Sequence, residues 1–225
     1  MSDIEAYSTR LRGAAKPSTK IGKSDRTRAA ILDSALDFVW SQPFHEMTVG
    51  SLMATTGVSR SAFYQYFRDL HAVMEALLDM LAAEISAVVK PWYVGVGDPV
   101  ALLHETVSEL VRICYKRGPF LRAISDAAAT DKRLEKDWQQ FLNGFDELGV
   151  ALVTRDQEQG LIPQFEPRPV IIALNRLDVY TIIDAFGRRP RSNPEPVREA
   201  LFRVWASTLY GAEWVEKASS TLVRK

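Results

Sequence analysis

Apolar residues recur every three to four positions along most of this chain, and no run alternates with period two between turn signals. The pattern predicts an all-α protein of about nine helices. A first helix, capped by Ser24 or Asp25 and running to about Ser41 before Pro43, carries a broad stripe of Ile31, Leu32, Ala35, Leu36, Phe38 and Val39. Residues 48–67, TVGSLMATTGVSRSAFYQYF, read as two short helices around a tight turn. Thr48 caps the first, whose Val49, Leu52 and Met53 form one apolar face. Gly57 reverses the chain, because a left-handed backbone costs glycine little, and Ser59 caps the second helix. Ala62, Phe63, Tyr66 and Phe67 then face inward, which leaves Arg60, Ser61, Tyr64 and Gln65 outward as two i, i+4 pairs. A short helix exposing such hydrogen-bonding side chains suits the major groove of DNA. An ordinary helical hairpin with a solvated face has the same pattern, so the flanking segments carry weight.

Downstream, Asp69 caps a long helix with Val73, Met74, Leu77, Leu78, Leu81, Ile85 and Val88 in register up to Lys90-Pro91. Residues 92–97 read as a loop, and Asp98-Pro99 starts another helix. Its buried side holds Leu102, Leu103, Thr106, Val107, Leu110, Ile113 and Cys114, and Gly118-Pro119 is expected to end it. A shorter helix over 120–129 follows. Asp131 then caps a long one to Gln159, with Gly160 as its stop. The last two helices, over 169–186 and 195–210, are apolar on more than one stripe and need cover on two sides. Two copies of this pair would form a four-helix interface about a two-fold axis, through Ile172, Val179, Tyr180, Ile183, Leu201, Val204 and Leu209. A single large core covering both helices is the competing arrangement.

The expected organisation is a basic N-terminal arm over 1–23, a helix-turn-helix DNA-binding head over 24–69 and a connector helix over 70–90. A ligand-binding and dimerisation body over 91–215 and a tail over 216–225 complete it. At 47% hydrophobic and 25% charged residues in 225, disorder is not the default. Net charge is zero, yet residues 1–28 hold seven Lys and Arg against three acidic residues. A local excess of that kind beside a recognition unit makes Lys23 and Arg26 candidates for phosphate contact; residues 1–18 read as a solubilising tail. The lone Cys114 cannot form an internal disulfide, which points to a reducing, cytoplasmic setting. No signal peptide opens the chain and no apolar run approaches membrane-spanning length, so no membrane partner is expected. His45, His71 and His104 are scattered without Cys or carboxylates at ligand spacing, so no metal is expected. Without a phosphate loop or nucleophile elbow, no catalytic residue and no cofactor is assigned.

The helix over 31–39, Thr48-Val49, Gly57-Val58-Ser59-Arg60 and above all Phe63-Tyr64-Gln65-Tyr66-Phe67 are similar to the TetR family of transcriptional regulators. That resemblance covers residues 24–90 and implies a head that reads a palindromic double-stranded operator as a homodimer. Thr48 and Ser59, at helix N-termini, are placed to meet phosphates. Arg60, Ser61, Tyr64 and Gln65 are the base-reading candidates, and Tyr66 faces the backbone. Family members often carry a lysine where Leu70 stands here, which leaves Arg68 or His71 to supply that phosphate contact.

Beyond residue 90 the chain most resembles the branch of the mycobacterial ethionamide-activation repressors, through Trp138-Gln139-Gln140-Phe141, Ala173-Leu174-Asn175, Val204-Trp205 and Leu209-Tyr210-Gly211. Trp138, Phe141, Leu142 and Phe145 share a helix face; Leu103, Val107, Leu110 and Cys114 would form a second wall, with Asn175, Asp178 and Trp205 opposite. Aromatic walls with a few polar groups are the usual make-up of a ligand site, although an aromatic stripe at helical spacing is also ordinary core. The branch resemblance implies a ligand tunnel at Trp138, Phe145, Asn175 and Trp205, for a small apolar or aromatic effector. Asp178 departs from the branch, which favours an amide there, and turns the expected polar end of the ligand toward a donor or cation. The overall expectation is a ligand-responsive repressor, and among relatives release from DNA is the commoner response to ligand. A small-molecule carrier or helical adaptor that does not read DNA is the alternative.

Overall fold

The computed structural model describes residues 23–95 and 97–211; the basic arm before Lys23, the Lys23 side chain and the expected tail over 216–225 lie outside the described residues. Among these residues the fold is all-α, with eight helices: α1 (Lys23–Phe38), α2 (Val49–Thr56), α3 (Arg60–Tyr66), α4 (Leu70–Val94), α5 (Pro99–Ala128), α6 (Lys132–Glu158), α7 (Pro167–Phe186) and α8 (Pro194–Tyr210). A 3-10 turn, Phe44–Glu46, lies between α1 and α2. Two compact units divide the chain. One holds the described residues up to Ala83 together with Pro119–Phe141; the other holds Glu84–Gly118 and the described residues from Leu142 onward.

In the first unit, local signals set the helix boundaries. The Thr48 hydroxyl accepts from Ser51 N at 3.0 Å while Ser51 Oγ accepts from Thr48 N at 3.0 Å, a reciprocal cap. Gly57 takes φ 66°, a left-handed position that a side chain would strain. Ser59 Oγ accepts from Ala62 N and starts α3. Ile31, Leu32, Ala35, Leu52, Met53, Phe63 and Phe67 are buried beneath these helices. Ser34, also buried, donates to Leu52 O at 3.1 Å, so its hydroxyl costs nothing in the core. Ser24 and Asp25 lie inside the first turn of α1 rather than capping it, and α1 gives way after Phe38 to tighter turns, with Ser41 N donating to Phe38 O.

Two prolines expected to stop helices do not. α4 continues past Pro91 to Val94, so Trp92 and Tyr93 are helical rather than in a loop. Pro91 lacks the N–H that would reach the Ala87 carbonyl, a defect worth about 3 kcal/mol in a helix interior. Tertiary anchors outweigh it: buried Trp92 donates from Nε1 to the Tyr210 hydroxyl at 3.1 Å, and the Arg155 guanidinium caps the Tyr93 carbonyl. α5 likewise runs straight through Gly118-Pro119, absorbing the separate short helix expected over 120–129 and reducing nine helices to eight. Pro119 removes the donor for the Tyr115 carbonyl, and Arg191 supplies one at 2.5 Å with its guanidinium 3.8 Å from the Tyr115 ring. Gly118 is there for close approach: a Cβ would stand 2.4 Å from the Phe186 carbonyl oxygen. Elsewhere the expected starts and stops hold to within two residues, with Asp98 and Asp131 as caps and Gly160 ending α6 at φ 70°.

Candidate functional site

The first unit presents the outward face of α3. Arg60, Ser61, Tyr64 and Gln65 are exposed together, Tyr64 at 56%, while Phe63 behind them is fully buried and meets the Tyr64 ring edge-on at 5.3 Å. Thr48 and Ser59, the two cap residues, are exposed beside that face, and Tyr66 is half-buried. Both short helices are thereby held rigidly, by caps on one side and by Phe63 and Phe67 on the other, with Arg28 lying 5.2 Å over the Phe67 ring. Arg26 is exposed on α1.

Beside Leu70, the two substitutes for the expected lysine behave differently. Arg68 is 68% exposed, with Asp69 and Glu75 at 3.8 and 3.6 Å. His71 is committed elsewhere: its Nε2 lies 2.5 Å from Asp131 Oδ2, and its ring meets Phe44 edge-on. The hydrogen bond from His71 holds the Asp131 carboxyl below its ordinary range, and the same aspartate caps α6. Arg133 closes the arrangement by donating to Asp69 Oδ2 at 2.9 Å. His71 is therefore a bracket between helix starts, which corrects its place among phosphate-contact candidates.

In the second unit the polar residues expected to line a cavity converge, but on each other. Asp178, 7% exposed near the middle of α7, accepts from Trp205 Nε1 of α8 on both carboxylate oxygens, each at 3.0 Å. Burial pushes its carboxyl up to about 7, and the indole N–H only partly offsets that. Trp92 lies edge-on to Trp205 at 5.5 Å, and Tyr93 stacks on Trp92 at 5.8 Å. Burial, with Asp178 second, pushes the Cys114 thiol up to about 12, as for an unreactive core cysteine. Burial and the same carboxylate raise the Tyr93 hydroxyl. Asn175 points instead to Asp146, donating to Oδ1 at 2.8 Å, while Arg176 grips both oxygens of that aspartate at 3.1 and 2.7 Å.

Leu103 and Val107 are buried; Leu110 and Phe145 are partly so. Leu142 is buried in this unit, whereas Trp138 and Phe141, stacked at 5.4 Å, group with the first unit. Sequence reasoning missed Trp92, Tyr93, Asp146, Arg176 and Tyr210. The first two fell in a presumed loop. Tyr210 was quoted only for likeness, although Trp92 and Tyr210 are the type of pair that buries rings and joins polar tips.

On the outer faces of α7 and α8, Tyr180 is 68% exposed, Leu177 is exposed, and Ile172, Val179, Ile183 and Val204 are partly exposed. Leu201 and Leu209 are not on that stripe. Both are buried within the single chain, which removes them from the expected partner-facing set. No helix among the described residues is long and apolar enough to cross a membrane.

Comparison with known proteins agrees with this layout. The family described as transcriptional regulator EthR, C-terminal domain, matches residues 103–211. The HTH-type transcriptional regulator EthR of Mycolicibacterium smegmatis is 25% identical over 205 residues, covering 90% of this chain and 92% of that protein. EthR of Mycobacterium tuberculosis is 24% identical over 211 residues, covering 92% and 95%. A TetR-family transcriptional regulator from Syntrophomonas wolfei, described as putative in its crystal structure, superposes with a TM-score of 0.72 at 16% identity over 83% of this chain and 96% of that one. With a cap-locked helix-turn-helix in front and a matched body behind it, this chain is similar along nearly its whole length to the EthR transcriptional regulators, and its fold is that of TetR-family structures.

Proposed function

We propose that the protein is a ligand-responsive repressor that binds an inverted-repeat operator as a homodimer, and that a small apolar or aromatic effector held in its second unit sets its affinity for DNA. The observation that carries the reading is the exposed face of α3, where Arg60, Ser61, Tyr64 and Gln65 stand together on a helix fixed from behind by Phe63. A guanidinium and an amide side chain on a short capped helix are the groups that pair with base edges, and the caps Thr48 and Ser59 orient helix N-termini for phosphates. A helix of seven residues reads only a few base pairs. Two of them, related by a two-fold axis, read half-sites spaced by one helical turn, about 34–36 Å, or a multiple of it. The partly exposed apolar stripe of Ile172, Val179, Tyr180, Ile183 and Val204 is the surface we assign to that dimer.

Control passes along α4, one continuous helix with residues 70–83 in the first unit and 84–94 in the second. An effector changes DNA affinity only if it binds two conformations of this helix unequally; tight binding alone shifts nothing. Arg68 is the remaining cation near Leu70, so the salt dependence of binding is shallower than in lysine-bearing relatives, by roughly one in log–log slope per lost contact.

Fluorescence anisotropy with a labelled duplex from beside the protein's own gene, against a shuffled duplex, tests the reading. Specific, salt-dependent binding is expected, and Arg60→Ala with Tyr64→Ala costs about 1–3 kcal/mol per lost base contact while the dimer persists. Equal affinity for the two duplexes refutes it.

A further inference from the structure

Among the described residues, three aspartates are buried in the second unit; Asp156 is paired with Arg155, and the other two are treated differently. Asp146 has Arg176 on both oxygens and Asn175 as a third donor. Asp178, just as enclosed, has one N–H, from Trp205, shared between its two oxygens. A carboxylate offers about four acceptor positions, so one shared donor leaves it nearly bare. The groups that interact with it come from three other helices, and none is a cation. α4 brings the Tyr93 hydroxyl, α5 the Cys114 thiol, α8 the Trp205 indole, and the Asp146 carboxylate acts on the same tyrosine. Among the described residues, no ammonium or guanidinium is paired with Asp178. A buried ionised group without a counter-charge is expensive, so this carboxyl must hold a proton or meet a cation from outside. Its one donor belongs to an indole that Trp92 meets edge-on, and aromatic rings of that kind are what attracts an organic cation.

We infer that the second unit selects an effector bearing a protonated amine on an apolar aromatic or alkyl body, with Asp178 as its counter-ion. The inference rests on the effector role proposed above and narrows its chemistry. The ammonium takes the place of the proton on Asp178 and offers up to three donors where the indole offers one. Trp205 is thereby released from α7, and the Asp178–Trp205 link between α7 and α8 opens as the ligand enters. An amide at position 178 would select for hydrogen bonding without selecting for charge.

The test uses the full-length protein and three matched compounds, 4-phenylbutylamine, 4-phenylbutanol and 4-phenylbutyrate, with affinities from calorimetry and tryptophan fluorescence. At pH 8 the amine is expected to bind about 30-fold tighter than the alcohol, as for a buried charge pair, and the carboxylate weakest. Asp178→Asn brings the amine down to the level of the alcohol. In the wild type, which needs no variant, the amine's advantage shrinks about tenfold as pH falls from 7 to 5 and Asp178 takes up a proton, while the alcohol's affinity holds. An amine no tighter than the alcohol, an advantage that ignores pH, or no binding by any of the three overturns the inference. Operator binding is measured on the same preparation. Specific operator binding without amine preference overturns this inference alone, and amine preference without specific operator binding overturns the regulatory reading alone.

Discussion

Replacing Asp178 with asparagine removes a titratable group from the middle of α7 and leaves one oxygen to accept from Trp205 Nε1. The consequence for stability follows from where the carboxyl titrates. Its ordinary value is 3.8, and burial in the fold raises it to about 7. A carboxyl raised on folding stabilises the native state fully below the unfolded value, and that contribution is lost as pH climbs toward the folded one. The window here is 3.8 to about 7. Through it the unfolded chain ionises freely while the native protein resists, so stability declines with rising pH on account of this residue.

The arithmetic is direct. At 1.36 kcal/mol per pH unit, the penalty on the wild type amounts to about 2 kcal/mol at pH 5 and about 4 kcal/mol at pH 8.5. Asp178→Asn escapes it at both. The amide brings its own cost, since its N–H groups need acceptors in an apolar setting, but that cost does not vary with pH. What is expected is therefore a widening: relative to wild type, the variant gains about 2–3 kcal/mol between pH 5 and pH 8.5. For a chain of this size that is about 5–10 °C in melting temperature. Thermal melts of both proteins, followed by circular dichroism across that range, read the difference directly. Every other titrating group is common to the two proteins and cancels. A gap that stays constant from pH 5 to pH 8.5 would show that Asp178 bears no ionisation cost, and the argument from its single shared donor would fall with it.

The head was legible in the sequence because its signals are local. Thr48, Gly57 and Ser59 act within three residues of themselves, as cap, left-handed turn and cap, and each does so in the structure. The inner and outer faces of α3 follow from helical periodicity alone. Pro91 and Gly118-Pro119 misled because their meaning is set by residues far away in the chain. A proline ends a helix when nothing else satisfies the carbonyl it orphans. Here Arg191, 76 residues beyond Tyr115, reaches back to do so, and Arg155 secures the end of α4 from a separation of 62 residues. Periodicity could not foresee either partner.

The pairing of the interior polar residues was half legible. Asp178, Trp205, Asn175 and Cys114 do converge in one unit, but pattern does not say which polar group takes which donor. Asn175 turned to Asp146, and Asp178 was left with an indole. A similar limit applies to α8. Helical spacing put Leu201 and Leu209 on an outward stripe with Val204, because a helix with two apolar faces does not announce which one meets its own core. His71 was read by proximity to a missing lysine, while its actual partner, Asp131, lies sixty residues on.

Three further outcomes are expected. Thr48→Ala breaks the reciprocal cap with Ser51 and costs about 1 kcal/mol, a fall of about 2–4 °C in melting temperature; an unchanged melt would mean the cap is not formed in solution. Tyr180→Glu places a charge on the exposed apolar stripe of α7, and sedimentation should then report monomers at micromolar concentration with helicity intact; a persisting dimer would move the interface elsewhere. Gly118→Ala decides between two meanings of one glycine. If Gly118 merely marked a helix end, alanine would stabilise the extended α5 by about 1 kcal/mol through propensity alone. In the structure the new Cβ meets the Phe186 carbonyl oxygen at 2.4 Å, its carbon at 2.6 Å and its Cβ at 2.7 Å. Two of these are backbone atoms, which cannot swing aside, so α5 and the end of α7 must separate by roughly 1 Å to restore ordinary contact. Overpacking of that kind costs about 1–3 kcal/mol, and a backbone clash puts it at the upper end, more than the propensity gain returns. The variant should melt below wild type, and a rise in its melting temperature would refute the close crossing of α5 against Phe186.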